Sequence, residues 1–340
     1  MEKVLACFLA AVLAGRAGTA ASATLDDLVA GAKKEGQLEF YGPSTLGPEG
    51  AKALGEAFNK KYGLNVTLQY NPSGNMTRDT GKVIGLSASG QPAEWDVMVV
   101  TDAHHGSLWL RKLHKTFDYT QLGVKKERIE YDGGTVSIAN QFALPTYNKK
   151  LLPAKDVPKK WEDLLDPRWK GKLGVINSTH HFARLAAGAW GEEKTTEFVR
   201  KLAAQKPILS RAGEMAQRLI LGEVLLSATL QDSQLHEAEQ SGAPLAFATE
   251  VQPVVSPEYH VGVLKHAPHP NVATLFVAFM ASPEVQTLWK KYTGHTSAYV
   301  PGTDAYKFAQ GKKVVYMKQD QAKLVDKLAR EYGKILGFNR

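Results

Sequence analysis

The chain has 340 residues and a formal net charge of +8, from 42 lysine and arginine residues against 34 aspartate and glutamate residues. The basic residues are scattered, without the aromatic and basic stripe of a nucleic-acid-binding surface, so we expect no nucleic-acid partner and only a weak preference for anions. A chain of this length exceeds what one hydrophobic core usually organises, which predicts two domains.

The N-terminal residues have the pattern of an export signal. Lys3 is followed by an apolar run over 4–14 and then by small residues up to Ala23, which ends an Ala-x-Ala cleavage pattern. This run is shorter than a bilayer-spanning helix, and no later segment of the sequence is long and apolar enough to span a bilayer. We therefore predict a signal peptide over 1–23 and a periplasmic mature protein, from which the only cysteine, Cys7, is lost.

Apolar spacing predicts an alternation of helices and strands in both halves of the chain. In the first half, helices are predicted over 24–36, 48–63 and 76–86, and strands over 38–41, 66–70 and 96–100. In the second half, strands are predicted over 173–176, 208–209 and 225–228, and helices over 180–190, 193–204 and 212–221. This alternation indicates parallel sheets covered by helices, and two such units joined by extended segments would enclose a cleft.

The loops after four of the predicted strands share short polar side chains. These loops are 42–45, 71–75, 101–105 and 177–181, and each leads into a helix. Ligands bind at the carboxyl ends of strands in such sheets, and hydroxyls with free backbone amides at helix starts suit anions. The structural alternative is that Ser44, Ser73 and Ser178 only cap their helices.

One segment closely resembles a known family. Residues 159–175, KKWEDLLDPRWKGKLGV, are similar to the W-x-D-L-L-D-P-x-W-K-G-K segment of periplasmic solute-binding proteins of ABC importers. The branch it resembles is the ferric-iron-binding one, among the type II, family 1 extracellular solute-binding proteins. Further segments that resemble this family are 32–36, 262–265, 269–271 and 282–286, so the similarity extends over the predicted mature chain.

The resemblance implies an α/β fold of type II, with two lobes that each contain a mostly parallel sheet flanked by helices and that close about a hinge. It implies a first lobe over 24–141 and 249–300, a second lobe over 142–248 and 301–340, and crossings near 142–147 and 247–255. Leu324, Leu328 and Tyr332 share one face of a C-terminal helix, which we expect to pack on the second lobe. The implied protein is a monomer that passes a solute to a permease in the inner membrane, without enzymatic activity or a cofactor.

The cleft-facing loops predict the ligand contacts. The candidate ligand-binding residues are Ser44, Thr45, Ser73, Gly74, Asn75, Thr101, Asp102, Ser178, Thr179, His180, Arg211 and Tyr259. Most of them are uncharged hydrogen-bond donors, which suits a small anionic solute such as a carboxylate or a phosphonate. Arg211, or alternatively Arg78, is the candidate for a bidentate contact to that anion.

Family members that bind bare ferric iron resemble one another in a pair of adjacent tyrosines, helped by a histidine and a carboxylate of the first lobe. Ferric iron prefers such anionic oxygen ligands. The corresponding stretch here, 229–234, contains no tyrosine, and Ser44 and Thr45 stand where the histidine would be expected. Asp102 lies about where the family's carboxylate would be. The alternative function is therefore a receptor for ferric iron or an iron chelate as cargo.

The remaining metal hypothesis combines Asp102, His104 and either His180 or His181. Adjacent residues at a helix start point in different directions, so His104 and His105 are not expected to ligate one ion together. In the other interpretation, one histidine of each pair packs inside its lobe and the other faces ligand or solvent. A secreted hydrolase is the third hypothesis, although Gly-x-Ser-x-Gly and His-Glu-x-x-His motifs and a cysteine nucleophile in the mature chain are absent from the sequence.

Overall fold

The computed structural model describes residues 23–338. The predicted signal peptide, apart from Ala23, lies outside the described residues, and so does Cys7. The helices are Leu25–Glu35 (α1), Gly47–Tyr62 (α2), Met76–Ala88 (α3), Asp102–Trp109 (α4), His180–Leu185 (α5), Glu192–Ala204 (α6), Ala212–Leu221 (α7), Asp232–Gln240 (α8), Pro270–Met280 (α9), Pro283–Thr293 (α10), Asp304–Ala309 (α11) and Ala322–Leu336 (α12). The strands are Gln37–Pro43 (β1), Thr67–Ser73 (β2), Val97–Thr101 (β3), Ile129–Glu130 (β4), Thr135–Asn140 (β5), Ala143–Asn148 (β6), Leu173–Ile176 (β7), Ile208–Ser210 (β8), Leu226–Gln231 (β9), Leu245–Phe247 (β10), Val254–Ser256 (β11), Glu258–Val263 (β12) and Val314–Tyr316 (β13).

Local sequence sets the ends of the first helices. The hydroxyl of Thr24 accepts the backbone N–H of Asp27, and the carboxylate of Asp27 accepts the backbone N–H of Thr24, so the first turn of α1 is capped in both directions. Gly36 and Gly63 follow α1 and α2 in left-handed backbone conformations, which glycine adopts without steric cost. Every residue of β3 is buried, as expected for a strand that is covered on both faces.

Two sheets form the two lobes. The first has the strand order β2-β1-β3-β12-β5-β4, in which β2, β1 and β3 run parallel and the other pairings are antiparallel. The second has the order β13-β11-β6-β9-β7-β8, with β10 beside β6, and β9, β7 and β8 run parallel. The predicted two-lobed α/β fold is confirmed. The sheets are mixed rather than mostly parallel, because strands at the crossings pair antiparallel with their neighbours.

The chain crosses between the sheets three times. β5 ends at Asn140 in the first sheet and β6 begins at Ala143 in the second, and Pro257 separates β11 from β12 in the same way. The third crossing follows Thr296, which forms a bridge with Asn140, and leads to α11 and β13. Within the range 249–300, predicted for the first lobe, β11 is hydrogen-bonded to β6 and β13 of the second sheet. We therefore propose Pro257 as the lobe boundary at that crossing.

Each lobe has its own hydrophobic core. In the first lobe, the ring of Phe276 lies 5.1 Å from that of Phe40 and 5.4 Å from that of Phe58, measured between ring centres. In the second lobe, Trp161 is fully buried and its indole N–H donates to the carbonyl of Pro253 at 2.9 Å. The segment that carries the family resemblance therefore contributes a core residue of the second lobe.

The C-terminal helix α12 packs on the second lobe, as predicted. Leu328 and Tyr332 are fully buried in the core of that lobe, and Leu324 is partly buried beside them. The same helix also contacts α4 of the first lobe, where the hydroxyl of Ser107 donates to the carboxylate of Asp326 at 3.2 Å. In the described part of the chain, no helix combines the length and the apolar character that crossing a bilayer requires.

Candidate ligand-binding cleft

A cavity of about 320 Å³ lies between the lobes, at the carboxyl ends of the strands. The first-lobe wall comes from the ends of β1, β2 and β3 with the helices that follow, and it consists of Pro43, Ser44, Thr45, Ser73, Asn75, Met76, Thr77, Thr101 and His104. The second-lobe wall comes from the ends of β7, β8 and β9, and it consists of Asn177, Ser178, His180, Arg211, Gln231, Ser233, Gln234 and Glu237. Gln141 and Tyr259, beside the first two crossings, complete the lining.

The structure brings together nine of the twelve predicted ligand-binding residues. The nine that line the cavity are Ser44, Thr45, Ser73, Asn75, Thr101, Ser178, His180, Arg211 and Tyr259. Eight of them come from the carboxyl ends of β1, β2, β3, β7 and β8, which converge because parallel strands present their carboxyl ends at one edge of a sheet. Tyr259 lies near the start of β12, beside the second crossing. The polar loops that the sequence predicts to share a cleft therefore do share one.

Gly74, Asp102 and Thr179 lie outside the set of described residues that line the cavity. Gly74 is exposed beside the guanidinium of Arg78. Asp102 is buried in an ion pair with Arg184. The hydroxyl of Thr179 donates to the backbone carbonyl of Ala329 in α12 at 2.7 Å, so it holds the second lobe together and is turned away from the cleft.

Helix capping does not account for the serines of the cleft. The side chain of Asn75 caps α3 by accepting the backbone N–H of Arg78 at 2.9 Å, so Ser73 is not the cap of that helix. The cap positions of α2 and α5 are occupied by Leu46 and Thr179, and neither makes a side-chain cap hydrogen bond. The interpretation in which Ser44, Ser73 and Ser178 serve only as caps is therefore not supported.

The two histidine pairs divide as helix geometry predicts. His104 and His180 line the cavity from opposite lobes, and their rings meet nearly at right angles with centres 5.5 Å apart. His105 turns into the first lobe, where its Nδ1 lies 3.0 Å from Nε2 of His114. His181 is buried in the second lobe. One histidine of each pair therefore reaches the cleft.

Both cleft histidines are held neutral. Burial, with a smaller contribution from the positive charge of Arg184, lowers the pKa of His104 to about 4. The same two causes lower the pKa of His180 well below its ordinary value, and His104 and His181 add to the effect. At neutral pH these imidazoles therefore act as hydrogen-bonding groups without charge.

Arg211 is the cation of the cleft. It stands at the start of α7, directly after β8, and its side chain is exposed to the cavity and to solvent. Glu237, in α8, is the carboxylate among the described lining residues. Arg78, the other candidate predicted from the sequence, pairs instead with Asp79 at 2.8 Å and is 72% exposed outside the cavity. The cleft thus pairs one guanidinium with a large number of uncharged donors and acceptors.

Asp102 makes a bidentate ion pair across the lobes. The Nε of Arg184 lies 3.2 Å from Oδ2 of Asp102, and Nη2 of Arg184 contacts Oδ1. Both side chains are at most 1% exposed. This partner was not predicted, because the two residues are 82 positions apart and no local pattern connects them.

Several cleft residues were missed by the sequence analysis. Asn177 directly follows β7, Gln231 is the last residue of β9 and Gln234 lies in the first turn of α8, so the rule that strand ends bear ligands would have found them. Gln141 carries no such signal, since it lies in the first crossing, and its amide oxygen contacts the amide nitrogen of Gln231 in the second lobe. The cleft therefore contains more side-chain amides than the predicted set.

The structure does not favour the metal hypothesis. Among residues 23–338, no group of three or more histidine, cysteine, aspartate and glutamate side chains is arranged to hold a metal ion. Asp102, one member of the hypothetical set, is already paired with a guanidinium. Tyr259 is a phenol in the cavity, and burial raises its pKa, which favours the protonated form over the phenolate that ferric iron prefers.

The sequence is similar to a known protein family and to a known relative. A sequence model for the family described as bacterial extracellular solute-binding protein matches residues 53–328. An uncharacterized protein of Haemophilus influenzae is 30% identical over 162 residues, a segment that covers 44% of this chain and 45% of that relative. The chain thus spans less than half the length of this relative.

Solved structures with the same fold include ferric-binding proteins. Iron-bound HitA from Pseudomonas aeruginosa is 19% identical, covers 87% of this chain and 99% of its own, and has a TM-score of 0.71. The Trichodesmium protein IdiA (FutA), in complex with iron and citrate, is 17% identical, covers 89% of this chain and 99% of its own, and has a TM-score of 0.67. These identities indicate a shared fold, in agreement with the resemblance predicted from the sequence. Because the family match extends over most of the chain, this protein belongs to the bacterial extracellular solute-binding proteins.

Proposed function

We propose that this chain is the substrate-binding component of an ABC importer, which captures a small anionic solute in the periplasm and delivers it to a membrane permease. The cargo is a carboxylate, a phosphonate or a similar oxyanion that also carries hydroxyl groups. The observation that carries this proposal is the lining of the cavity. Both lobes contribute uncharged hydrogen-bonding side chains, and Arg211 supplies a positive charge.

The lining suits such a solute for physical reasons. A guanidinium binds a carboxylate or phosphonate with two parallel charged hydrogen bonds, which are stronger than neutral ones. Amide and hydroxyl side chains both donate and accept, so they match the hydroxyl groups of a solute. The volume of about 320 Å³ is at the lower end of the roughly 300–1,000 Å³ typical of small-molecule sites.

Closure of the lobes would couple binding to delivery. A ligand shifts an open-closed equilibrium only when its contacts differ between the two states. Ser44 and Thr45 on one wall and Ser178 and Arg211 on the other line the same cavity, so one solute can contact both lobes. A solute held by both walls would therefore favour the closed form that a permease recognises.

A ferric chelate is the second candidate cargo. HitA is an iron-bound protein of the same fold, and the Trichodesmium protein binds iron together with citrate. A chelate brings its own anionic oxygen ligands, so it does not need the tyrosine pair that is absent at 229–234. Its net negative charge would face Arg211. Bare ferric iron is less suited to this cleft, because the described lining residues offer one carboxylate, Glu237, and no pair of phenolates.

Titration calorimetry of the purified protein tests these alternatives. The panel contains hydroxycarboxylates, phosphonates, ferric citrate, citrate alone and ferric chloride. We expect micromolar or tighter binding of at least one metal-free oxyanion, and recovery of that compound unchanged after incubation. Binding of ferric citrate without binding of any metal-free anion would favour the second candidate, and tight binding of ferric chloride alone would contradict both. Chemical conversion of the bound compound would favour a hydrolase.

A further inference from the structure

A buried ion pair joins the two lobes beside the cavity. Asp102 is the first residue of α4 in the first lobe, and Arg184 lies in α5 of the second lobe. Asp102 also accepts the backbone N–H of Ala103 at 2.8 Å, and its own backbone carbonyl accepts the phenol of Tyr131 at 2.7 Å. These bonds hold Asp102 in place at the point where the guanidinium of Arg184 contacts its carboxylate.

The pair joins the two lobes and is not among the cavity-lining contacts. Neither Asp102 nor Arg184 is among the described residues that line the cavity. Their neighbours at the start of the same helices, His104 and His180, do line it and touch each other across the lobes. The ion pair therefore lies behind a wall of the cavity, where it responds to the distance between the lobes and not to the identity of the solute.

Burial makes the two charges dependent on each other. A single charge buried without its partner is strongly unfavourable, whereas removal of both charges is often nearly neutral. In an open form, water can hydrate each charge separately. Loss of one charged partner should therefore destabilise the closed form much more than the open form. Loss of both charges should return the open-closed equilibrium close to that of the unmodified protein.

We propose that Asp102 and Arg184 are positioning residues that hold the lobes together before any solute arrives, so that the closed cleft is populated in the ligand-free protein. The proposal rests on the function proposed above, in which the protein captures a solute by lobe closure. It assigns Asp102, which the sequence analysis predicts as a ligand contact, to an internal ion pair. Arg184 supplies the positive charge that this carboxylate would otherwise take from cargo.

Distance measurement between spin labels tests the proposal in the absence of ligand. The labels are attached through K60C on α2 and E239C on α8, two exposed positions in different lobes. The only native cysteine, Cys7, lies in the predicted signal peptide, whose cleavage on export would remove it. In the otherwise unmodified protein we expect a substantial population at the shorter distance. A population found only at the longer distance would overturn the proposal.

Substitutions at Asp102 and Arg184 separate the effect of the ion pair on lobe closure from a general effect on packing. In Asp102→Asn and Arg184→Met, the ratio of closed to open molecules should fall at least about tenfold, because one charge stays buried alone in the closed form. The double variant D102N/R184M should recover most of that ratio. As matched controls, Asp156→Asn and Arg168→Met remove one partner of an exposed ion pair within the second lobe, at 3.0 Å, and should leave the distances unchanged.

The outcomes distinguish this proposal from the proposed function. Unchanged distances in both single variants would overturn the proposed role of the ion pair. So would a double variant in which the ratio of closed to open molecules is no higher than in the more affected single variant. Thermal unfolding of each variant, measured in parallel, shows that the lobes remain folded when distances are compared. The solutes of the calorimetry panel are then added to the unmodified protein. If none of them changes the spin-label distances, solute capture is contradicted, but the result for the ion pair is unaffected.

Discussion

The ring of His104 meets the ring of His180 across the cleft, edge to face, with an interplanar angle of 84° and centres 5.5 Å apart. His104 is tied to the first lobe, since its Nδ1 lies 2.8 Å from the hydroxyl of Thr101 and its Nε2 lies 3.1 Å from that of Thr77. Each lobe thus contributes one neutral imidazole to the same cavity. This contact and the ion pair behind it join the two lobes beside the cavity.

Replacement of Arg211 by glutamine should weaken binding of the anionic solute by about 100-fold. Hydrogen bonds to charged groups contribute about 1.5–3 kcal/mol, and glutamine cannot form the bidentate charged contact. Calorimetry with the solute identified in the panel measures the change. Arg200→Gln, at an exposed position of α6 outside the cavity, is the matched control and should bind like the unmodified protein. Equal affinities for both variants would remove Arg211 from the binding site.

Replacement of Thr45 by valine should weaken binding about fivefold. The hydroxyl of Thr45 is buried in the cavity wall without a hydrogen-bond partner among the described residues, so a solute is well placed to supply one. A typical neutral hydrogen bond contributes about 1 kcal/mol. Thr80→Val is the control, because the Thr80 hydroxyl is also buried and without a partner in the described chain but lies away from the cavity. A similar loss of affinity in both variants would indicate a general packing effect.

Stability should fall as the pH decreases from about 6.5 to 4. Burial lowers the pKa of five described histidines, to about 4 for His104 and about 3 for His114 and His181, with lowered values also for His105 and His180. In this pH range the unfolded chain binds protons that the folded chain does not, so the free energy of unfolding decreases with falling pH. Each such histidine contributes a slope of up to about 1.4 kcal/mol per pH unit. Denaturant unfolding at several pH values checks this, and a flat profile down to about pH 5 would contradict it.

Replacement of His181 by phenylalanine should stabilise the protein. Both ring nitrogens of His181 are buried without hydrogen-bond partners among the described residues. A buried polar group left without partners costs about 1–3 kcal/mol, and phenylalanine keeps a ring of similar shape. We expect the free energy of unfolding near neutral pH to rise by about 1 kcal/mol and its pH dependence to become shallower. His266→Phe, on an exposed histidine, should do neither. A destabilised His181 variant would mean that its nitrogens bind groups such as ordered water.

The local elements were predictable because their signals are local. The apolar run over 173–176 and the amphipathic spacing over 212–221 give the bounds of β7 and α7 as observed. The convergence of the strand ends was predictable too, because it follows from parallel pairing. The resemblance of 159–175 to a known family then fixed the two-lobed arrangement.

Contacts across the lobes could not be predicted in the same way. Arg184 has the sequence neighbourhood of an ordinary helix residue, and only the approach of the two lobes brings it to Asp102. Gln141 likewise reads as a position before a crossing strand, yet it lines the cavity and contacts Gln231. The sequence could not distinguish two roles for Asp102, because a carboxylate at a strand end can either contact a ligand or pair with a buried cation such as Arg184.

The most direct measurement is native mass spectrometry of the protein purified from its native host, before and after mild denaturation. The protein is expected to carry one small organic anion, lost on denaturation, that is absent or strongly depleted in the Arg211→Gln variant. A bound mass that corresponds to an iron ion without an organic anion, or one that is retained equally by the variant, would contradict capture of an anionic solute in this cleft.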